Sequence, residues 1–416
     1  MTSDSTLIDR EPFVDEELET LEEQPSPELT LVLSKLARKA VEKLEELVVA
    51  PISSNRDSIR RALGVKRLDV EGHEFASILA IDSTWSSPPL ELVWGALSVI
   101  VVGYVVATPG SGFHGISYAA LSMFAEGPSG RSIELRSKIL EFATVIRTVR
   151  KYSGVVDAVL VDGPLLIAPR SRYVYTPAET REFVEDSRRV SGPRLAAYVS
   201  RALIEAAKAC RALGIPMVGV VKRVGSKFLA PVLRDAGLED VARAVEFSND
   251  KALASLVLEP GEYIELGSML DVLSSYLSYL GREKTLRALE DACSGSSGVY
   301  GKELCEVLRD TAVVMYRARG EAVHPQATRL DIYPASSAAE VLRYAMIESS
   351  HNSVPVPIDI VDRLVRIESA SIKRFHDMLL ASASNYDTLA LLGLTNPQKS
   401  YLFKKAYRQA SRFEPR

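Results

Sequence analysis

The sequence predicts a mixed α/β fold, a β-sheet flanked by helices, with further helical regions at the N- and C-terminal ends. Three observations carry that expectation. Short apolar, β-rich runs recur at 75–81, 91–106, 112–124, 155–161 and 215–221. Segments with helical periodicity, 132–152 and 195–213, separate the later runs. The first three runs follow one another without a helical crossover, so they should pair antiparallel, while the later ones return through helices.

In chain order, residues 1–28 hold an acidic run (Glu11, Asp15, Glu16, Glu17, Glu19, Glu22, Glu23) and read as a flexible tail. Leu29, Val32, Leu33, Leu36, Ala40, Leu44 and Leu47 recur near a 3.6-residue period and predict a helix over 29–49. The run 75–81 ends in Asp82. Breakers at Gly127, Pro128, Ser129 and Gly130 precede the helix 132–152, which Gly154 stops. The run 155–161 ends in Asp162-Gly163-Pro164, and 215–221 ends in Lys222. Residues 227–290 read as mainly helical and 291–300 as a Ser/Gly-rich loop. Two more strands are expected over 311–317 and 327–332, then helices over 338–349 and 359–379. The expected divisions are a tail (1–28), an N-terminal helical region (29–70), a core (71–335) with a helical insertion at about 227–310, and a C-terminal helical region (336–416).

The 416 residues are 47% hydrophobic and carry a net charge of −4, so a large core is available and no global basic excess advertises nucleic acid. The last stretch gathers Lys399, Lys404, Lys405, Arg408, Arg412 and Arg416 against Glu414, so basic character is local. Tyr401, Leu402, Phe403 and Tyr407 add an apolar face there that suits a partner. Cys210, Cys293 and Cys305 form no C-x-x-C pair. They predict free thiols and a cytoplasmic location, without zinc. The longest apolar run, 90–107, is broken by Glu91, Gly95 and Gly103, and no membrane span is expected.

Two strands that each deliver an aspartate to one sheet edge make a crevice of like charge. Divalent cations relieve that repulsion, which suggests phosphoryl chemistry by a pair of ions. A third carboxylate is expected on the intervening helix, where Glu134 and Glu141 share a face. From Glu134 to Lys151 the helix rises ~26 Å, and from Val155 to Asp162 a strand climbs ~23 Å. Those lengths favour Glu134, with Glu141 in reserve.

Ile81-Asp82-Ser83, Val161-Asp162-Gly163-Pro164-Leu165, the run 218–222 ending in Lys222, and Arg329-Leu330-Asp331-Ile332-Tyr333-Pro334 together resemble the NurA family of DNA-end-processing nucleases, in the family's order over about residues 70–370. The resemblance implies an RNase H-like core and Mn²⁺ or Mg²⁺ on Asp82, Asp162 and a helical glutamate. It implies a homodimer with 5′–3′ exonuclease and some single-strand endonuclease activity. Single- and double-stranded DNA ends would be its substrates, and a hexameric HerA-type ATPase its partner in end resection. Asp82 is followed by Ser83 where the family often has glycine.

Other candidates are Lys222 for phosphate or transition-state charge, and Lys222, Arg223 and Lys227 for the DNA backbone. His351 and Asp359 are candidates either to complete the ion site or to shuttle protons. Phe113 is a candidate base-stacking residue. Asp331 reads as a strand-edge ion pair with Arg329. The Gly110–Gly115 glycine pattern precedes β-like sequence rather than a helix, and the Gly295–Lys302 stretch misses the phosphate-loop spacing, so no nucleotide hydrolysis is expected. The competing reading is an inactive adaptor that docks on an ATPase ring.

Overall fold

The computed structural model describes residues 27–69, 72–86, 90–92, 95–108, 111–124, 130–167, 169–319, 326–350, 352–382 and 388. Residues 1–26 of the expected acidic tail, the breakers 127–129, His351 and the basic C-terminal stretch lie outside them.

Among the described residues, ten strands form one mixed sheet: β1 (Lys66–Arg67), β2 (Ile78–Trp85), β3 (Leu90–Leu92), β4 (Gly95–Thr108), β5 (Ser111–Phe124), β6 (Ala158–Asp162), β7 (Met217–Val221), β8 (Glu262–Ser268), β9 (Ala312–Tyr316) and β10 (Thr328–Tyr333). The order is β1-β8-β9-β10-β7-β6-β2-β4-β3, with β5 on β4. Strands β2, β4 and β5 pair antiparallel, whereas β2–β6 and β6–β7 are parallel. The five strands β5-β4-β2-β6-β7 reproduce the expected RNase H-like arrangement of a three-stranded meander extended by two parallel strands.

The helices are α1 (Pro27–Leu44), α2 (Ala50–Ser54), α3 (Arg56–Ala62), α4 (Gly130–Lys151), α5 (Phe183–Ser187), α6 (Leu195–Ala212), α7 (Leu229–Asp235), α8 (Glu239–Phe247), α9 (Asp250–Val257), α10 (Met269–Tyr279), α11 (Glu283–Ser294), α12 (Val299–Arg309), α13 (Ala338–Ile347), α14 (Val356–Val365) and α15 (Ser369–Ala381). A π turn, Glu45–Val49, links α1 to α2.

Strand alternation sets which helix meets which residue. Leu79 and Ile81 of β2, with Val159 and Val161 of β6, face the core built with α4 and α6. Ile78 and Ala80, with Ala158 and Leu160, face the opposite core, with α13 and α14. A third core packs α2 and α3 against α7, α8 and α9. The parallel strands are therefore covered on both sides, as their unbroken apolar runs require.

Several expectations are corrected in detail. Strand β2 continues past Asp82 to Trp85. The expected 227–290 helical region is interrupted by β8, and the expected 359–379 helix breaks into α14 and α15. Cys293 and Cys305 are not free thiols but form a disulfide, because the turn after α11 folds α12 back onto it. Cys210 stays free and buried. No described helix is long and apolar enough to cross a membrane.

Candidate metal centre

The parallel register puts Ile81 level with Val161, so the next residues, Asp82 and Asp162, emerge side by side. Both continue the alternation of Ile78 and Ala80, and of Ala158 and Leu160, so both face the α13–α14 side. Helix α14 packs across β2, β4 and β6 and brings Asp362 to the same point. One carboxylate oxygen from each of Asp82, Asp162 and Asp362 lies within 4.8 Å of the others. Oxygens sharing one Mg²⁺-sized ion at ~2.1 Å are at most ~4.2 Å apart, so a small side-chain rotation suffices to close the set.

Glu141 approaches from the other side of the sheet. Ser83 follows Asp82 and therefore points towards α4, where its Oγ donates to Glu141 Oε1 and contacts Ser137 Oγ. Lys138 is buried under the cluster. Its Nζ lies 2.7 Å from Glu141 Oε2 and donates to the Asp162 carbonyl at 2.6 Å. Lys222 continues β7 towards the same edge, and its Nζ lies 3.3 Å from both Asp162 Oδ2 and Asp362 Oδ1.

Four carboxylates thus surround two ammonium groups. The imbalance shows in the protonation equilibria. Burial, reinforced by Asp162 and Glu141 and opposed by Lys222, pushes the Asp82 carboxyl up to about 9. Burial also raises Glu141 above the usual carboxylate range, in spite of Lys138. Burial works against the charge of Lys222, but Asp162, Asp82 and Asp362 outweigh it and hold that ammonium above its ordinary value.

The donor set fits a hard divalent cation. All the converging ligands are carboxylate oxygens, and their excess negative charge matches a dication. Asp162 Oδ1 is buried and has no hydrogen-bond partner among the described residues, although buried polar atoms ordinarily have one. A cavity of about 830 Å³ opens over the cluster, with Trp85, Arg223, Arg363 and Arg366 among its other lining residues.

The structure separates the sequence candidates. It brings Asp82, Asp162 and Lys222 together. Glu134 is not among the clustered carboxylates: it is 36% exposed at the cavity wall and ion-paired to Arg131 at 2.6 Å. Glu141 occupies the place beside the aspartates because β6 begins only at Ala158. The strand therefore climbs ~13 Å to Asp162, close to the ~15 Å that α4 spans from Glu141 to Lys151. Asp359 stands one turn before Asp362 on α14, outside the cluster, with its charge felt by the buried Tyr316 phenol. Arg223 lines the cavity, whereas Lys227 donates to the Glu246 carbonyl and does not. Phe113 is 38% exposed on β5 and packs on Tyr152, with ring centroids 4.8 Å apart. Sequence reasoning missed Asp362, Lys138 and the Ser83–Glu141 contact. The Asp359-x-x-Asp362 spacing was the available signal for the first.

Asp331 forms the expected ion pair. Arg329 Nε donates to its Oδ1 at 2.9 Å, Nη2 donates to Oδ2 at 3.2 Å, and Leu165 N donates to the same Oδ2. That pair anchors the turn after Asp162. Gly219 lets the turn approach, since a Cβ there would lie 2.8 Å from Leu165 N and 2.9 Å from the Gly163 carbonyl oxygen.

A family model described as NurA domain matches residues 76–367. The fold is similar to that of the NurA nuclease from Sulfolobus solfataricus, with a TM-score of 0.51 and 14% identity, over 85% of this chain and 99% of that one. It is similar also to a NurA bound to dAMP and manganese, with a TM-score of 0.50 and 13% identity, over 86% and 100% of the two chains. No curated protein matches the chain. The match over 76–367 takes in every residue of the carboxylate cluster, and the chain belongs to the NurA family.

Proposed function

We propose that this chain is a DNA nuclease that hydrolyses phosphodiester bonds with Mn²⁺ or Mg²⁺ held by Asp82, Asp162 and Asp362. The observation that carries the reading is the convergence of those three carboxylates, one oxygen of each within 4.8 Å of the others, at a site where the buried Asp162 Oδ1 has no hydrogen-bond partner among the described residues. Manganese and a deoxynucleotide on a NurA of the same fold support the metal and the substrate class. Two ions suit the excess of carboxylates, and when bound they supply an activated water and stabilise the leaving oxygen.

The protein's own groups divide the remaining work. Glu141 sits behind Asp82 through Ser83 and fixes the orientation of that strand end. Lys138 holds the Asp162 backbone. Lys222 neutralises Asp162 and Asp362 in the metal-free site, and a scissile phosphate entering the cavity gives its ammonium a third partner. Arg223, Arg363 and Arg366 line the same cavity and suit the flanking phosphates. The intact carboxylate set supports an enzyme over an inactive adaptor.

The finer proposal, carried by the motif resemblance, is 5′–3′ exonuclease and single-strand endonuclease action at DNA ends by a homodimer, in end resection with a HerA-type hexameric ATPase. The experiment is cleavage of end-labelled DNA in Mn²⁺. Wild type should degrade it, EDTA should stop it, and a 5′ label should be released before a 3′ label. Folded Asp82→Asn that still cleaves at the wild-type rate would end the metal-nuclease reading.

A further inference from the structure

A second cavity, of about 840 Å³, adjoins the first. Glu134, Pro164, Ile167, Val221 and Arg223 line both, so the two share a wall. Beyond that wall the surfaces differ. The carboxylate cavity is floored by charge. The second is floored by apolar groups, among them Leu135, Leu166, Met269, Leu273 and Phe228.

Four arginines line this apolar floor, beside Glu134, Tyr276 and three serines. Arg131 is already spent on Glu134, and Arg329 on Asp331. Arg170 and Arg223 have no carboxylate partner among the described residues. The Arg170 guanidinium donates to the Tyr276 hydroxyl and lies 5.6 Å from that ring's centroid. Thr285 Oγ1 donates to the Arg170 carbonyl at 3.2 Å, which fixes the backbone that presents it. An apolar floor, two unneutralised guanidinium groups and a shared wall with a phosphodiester-cleaving centre match one ligand chemistry. It is a nucleotide, with its base on the floor and its phosphate at the arginines.

We propose that this second cavity binds the nucleobase of the nucleotide adjoining the scissile phosphate, and that it thereby selects unpaired strand. The proposal rests on the nuclease reading and names the part of the substrate which that reading leaves unassigned. A base inside a duplex has both faces stacked and its edge paired, so it can reach the floor only after leaving the stack. The apolar lining offers few groups to read a base edge. The site should therefore tolerate all four bases and prefer single-stranded or frayed DNA over intact duplex.

The test is equilibrium binding of a fluorescent six-residue single-stranded oligonucleotide in EDTA, where no turnover is needed. One abasic residue is moved through each position in turn. On wild type, one or two positions should each cost about tenfold in affinity. Two variants then localise the loss. Arg170 is exposed, so Arg170→Ala leaves the core intact. Gly225 lines the cavity, has no positive φ, and a Cβ there meets nothing within 4 Å, so Gly225→Trp adds a ring without backbone strain. Both should weaken the intact oligonucleotide about tenfold and abolish the abasic penalty at the sensitive position. Equal binding of intact and abasic oligonucleotides by wild type overturns the proposal, as does an abasic penalty that survives unchanged in both variants. Failure of the nuclease reading is a separate result, seen as retained cleavage by Asp82→Asn.

Discussion

Two acid–base clusters, on β10 and β6 with β7 between them, behave as opposites. Around Asp331, one carboxylate meets one guanidinium in two parallel bonds, with a backbone N–H on the remaining lone pair. Around Asp162, four carboxylates meet two ammonium groups, and a buried oxygen is left without a partner. Each has a buried acid, Asp331 in one and Asp82 in the other; charge balance is not shared. A balanced pair is a structural tie, while an unbalanced one stores unfavourable energy that a cation can relieve.

The strongest way to break that contrast is to neutralise one acid in each cluster. Asp82→Asn should lower Mn²⁺-dependent cleavage on the order of 10³-fold, read as initial rates on labelled DNA. The same change should stabilise the metal-free protein by about 1–3 kcal/mol in denaturant unfolding, because it removes the cost of burying that carboxyl and, secondarily, its repulsion by Asp162 and Glu141. Asp331→Asn should do the reverse to stability and cost about 3–5 kcal/mol, since Arg329 is left buried without its counter-charge. Equal destabilisation by the two substitutions would erase the distinction.

The protonation of Asp82 gives the next effect. Its carboxyl is raised to about 9 in the folded protein, so it favours folding most at low pH, where it is protonated. That contribution is lost as pH climbs from the ordinary carboxylate range through about 9, and saturating Mn²⁺ should restore it. Since the ion displaces this proton, Mn²⁺ affinity should rise about tenfold per pH unit between pH 6 and 8. A pH-independent affinity would contradict the assignment. Smaller still, Glu141→Gln should reduce cleavage about 10–100-fold through the Ser83 contact. Glu134→Gln should change it by about twofold at most.

The sequence made the central five strands and both strand aspartates legible, because apolar runs of the right length end in acids and turn residues. The side of the sheet was legible in principle as well. Asp82, Asp162 and Lys222 continue the alternation of Ala80, Leu160 and Val220, all on one face. Looking for the next carboxylate on α4 therefore looked behind the sheet. Glu141 reaches the cluster from behind, through Ser83, which points the other way, and through Lys138, which also holds the Asp162 carbonyl. Asp362 could not be placed without knowing that α14 packs across β2 and β6, a contact between segments far apart in the chain. The length argument that favoured Glu134 assumed a longer strand; residues before Ala158 form a turn and add no climb, so Glu141 comes level with the aspartates while Glu134 stands at the cavity wall. The disulfide was hidden for a similar reason: nothing in the linear spacing of Cys293 and Cys305 shows that two helices double back.

Calorimetric titration of Mn²⁺ into wild type and into the Asp362→Asn and Asp359→Asn variants tests the shared carboxylate site most directly. Those two aspartates sit one turn apart on the same helix, and only one reaches the cluster. Wild type and Asp359→Asn should bind Mn²⁺ alike, and Asp362→Asn should bind it about 10–100-fold more weakly. Equal affinity in all three proteins would contradict the metal centre described for this chain.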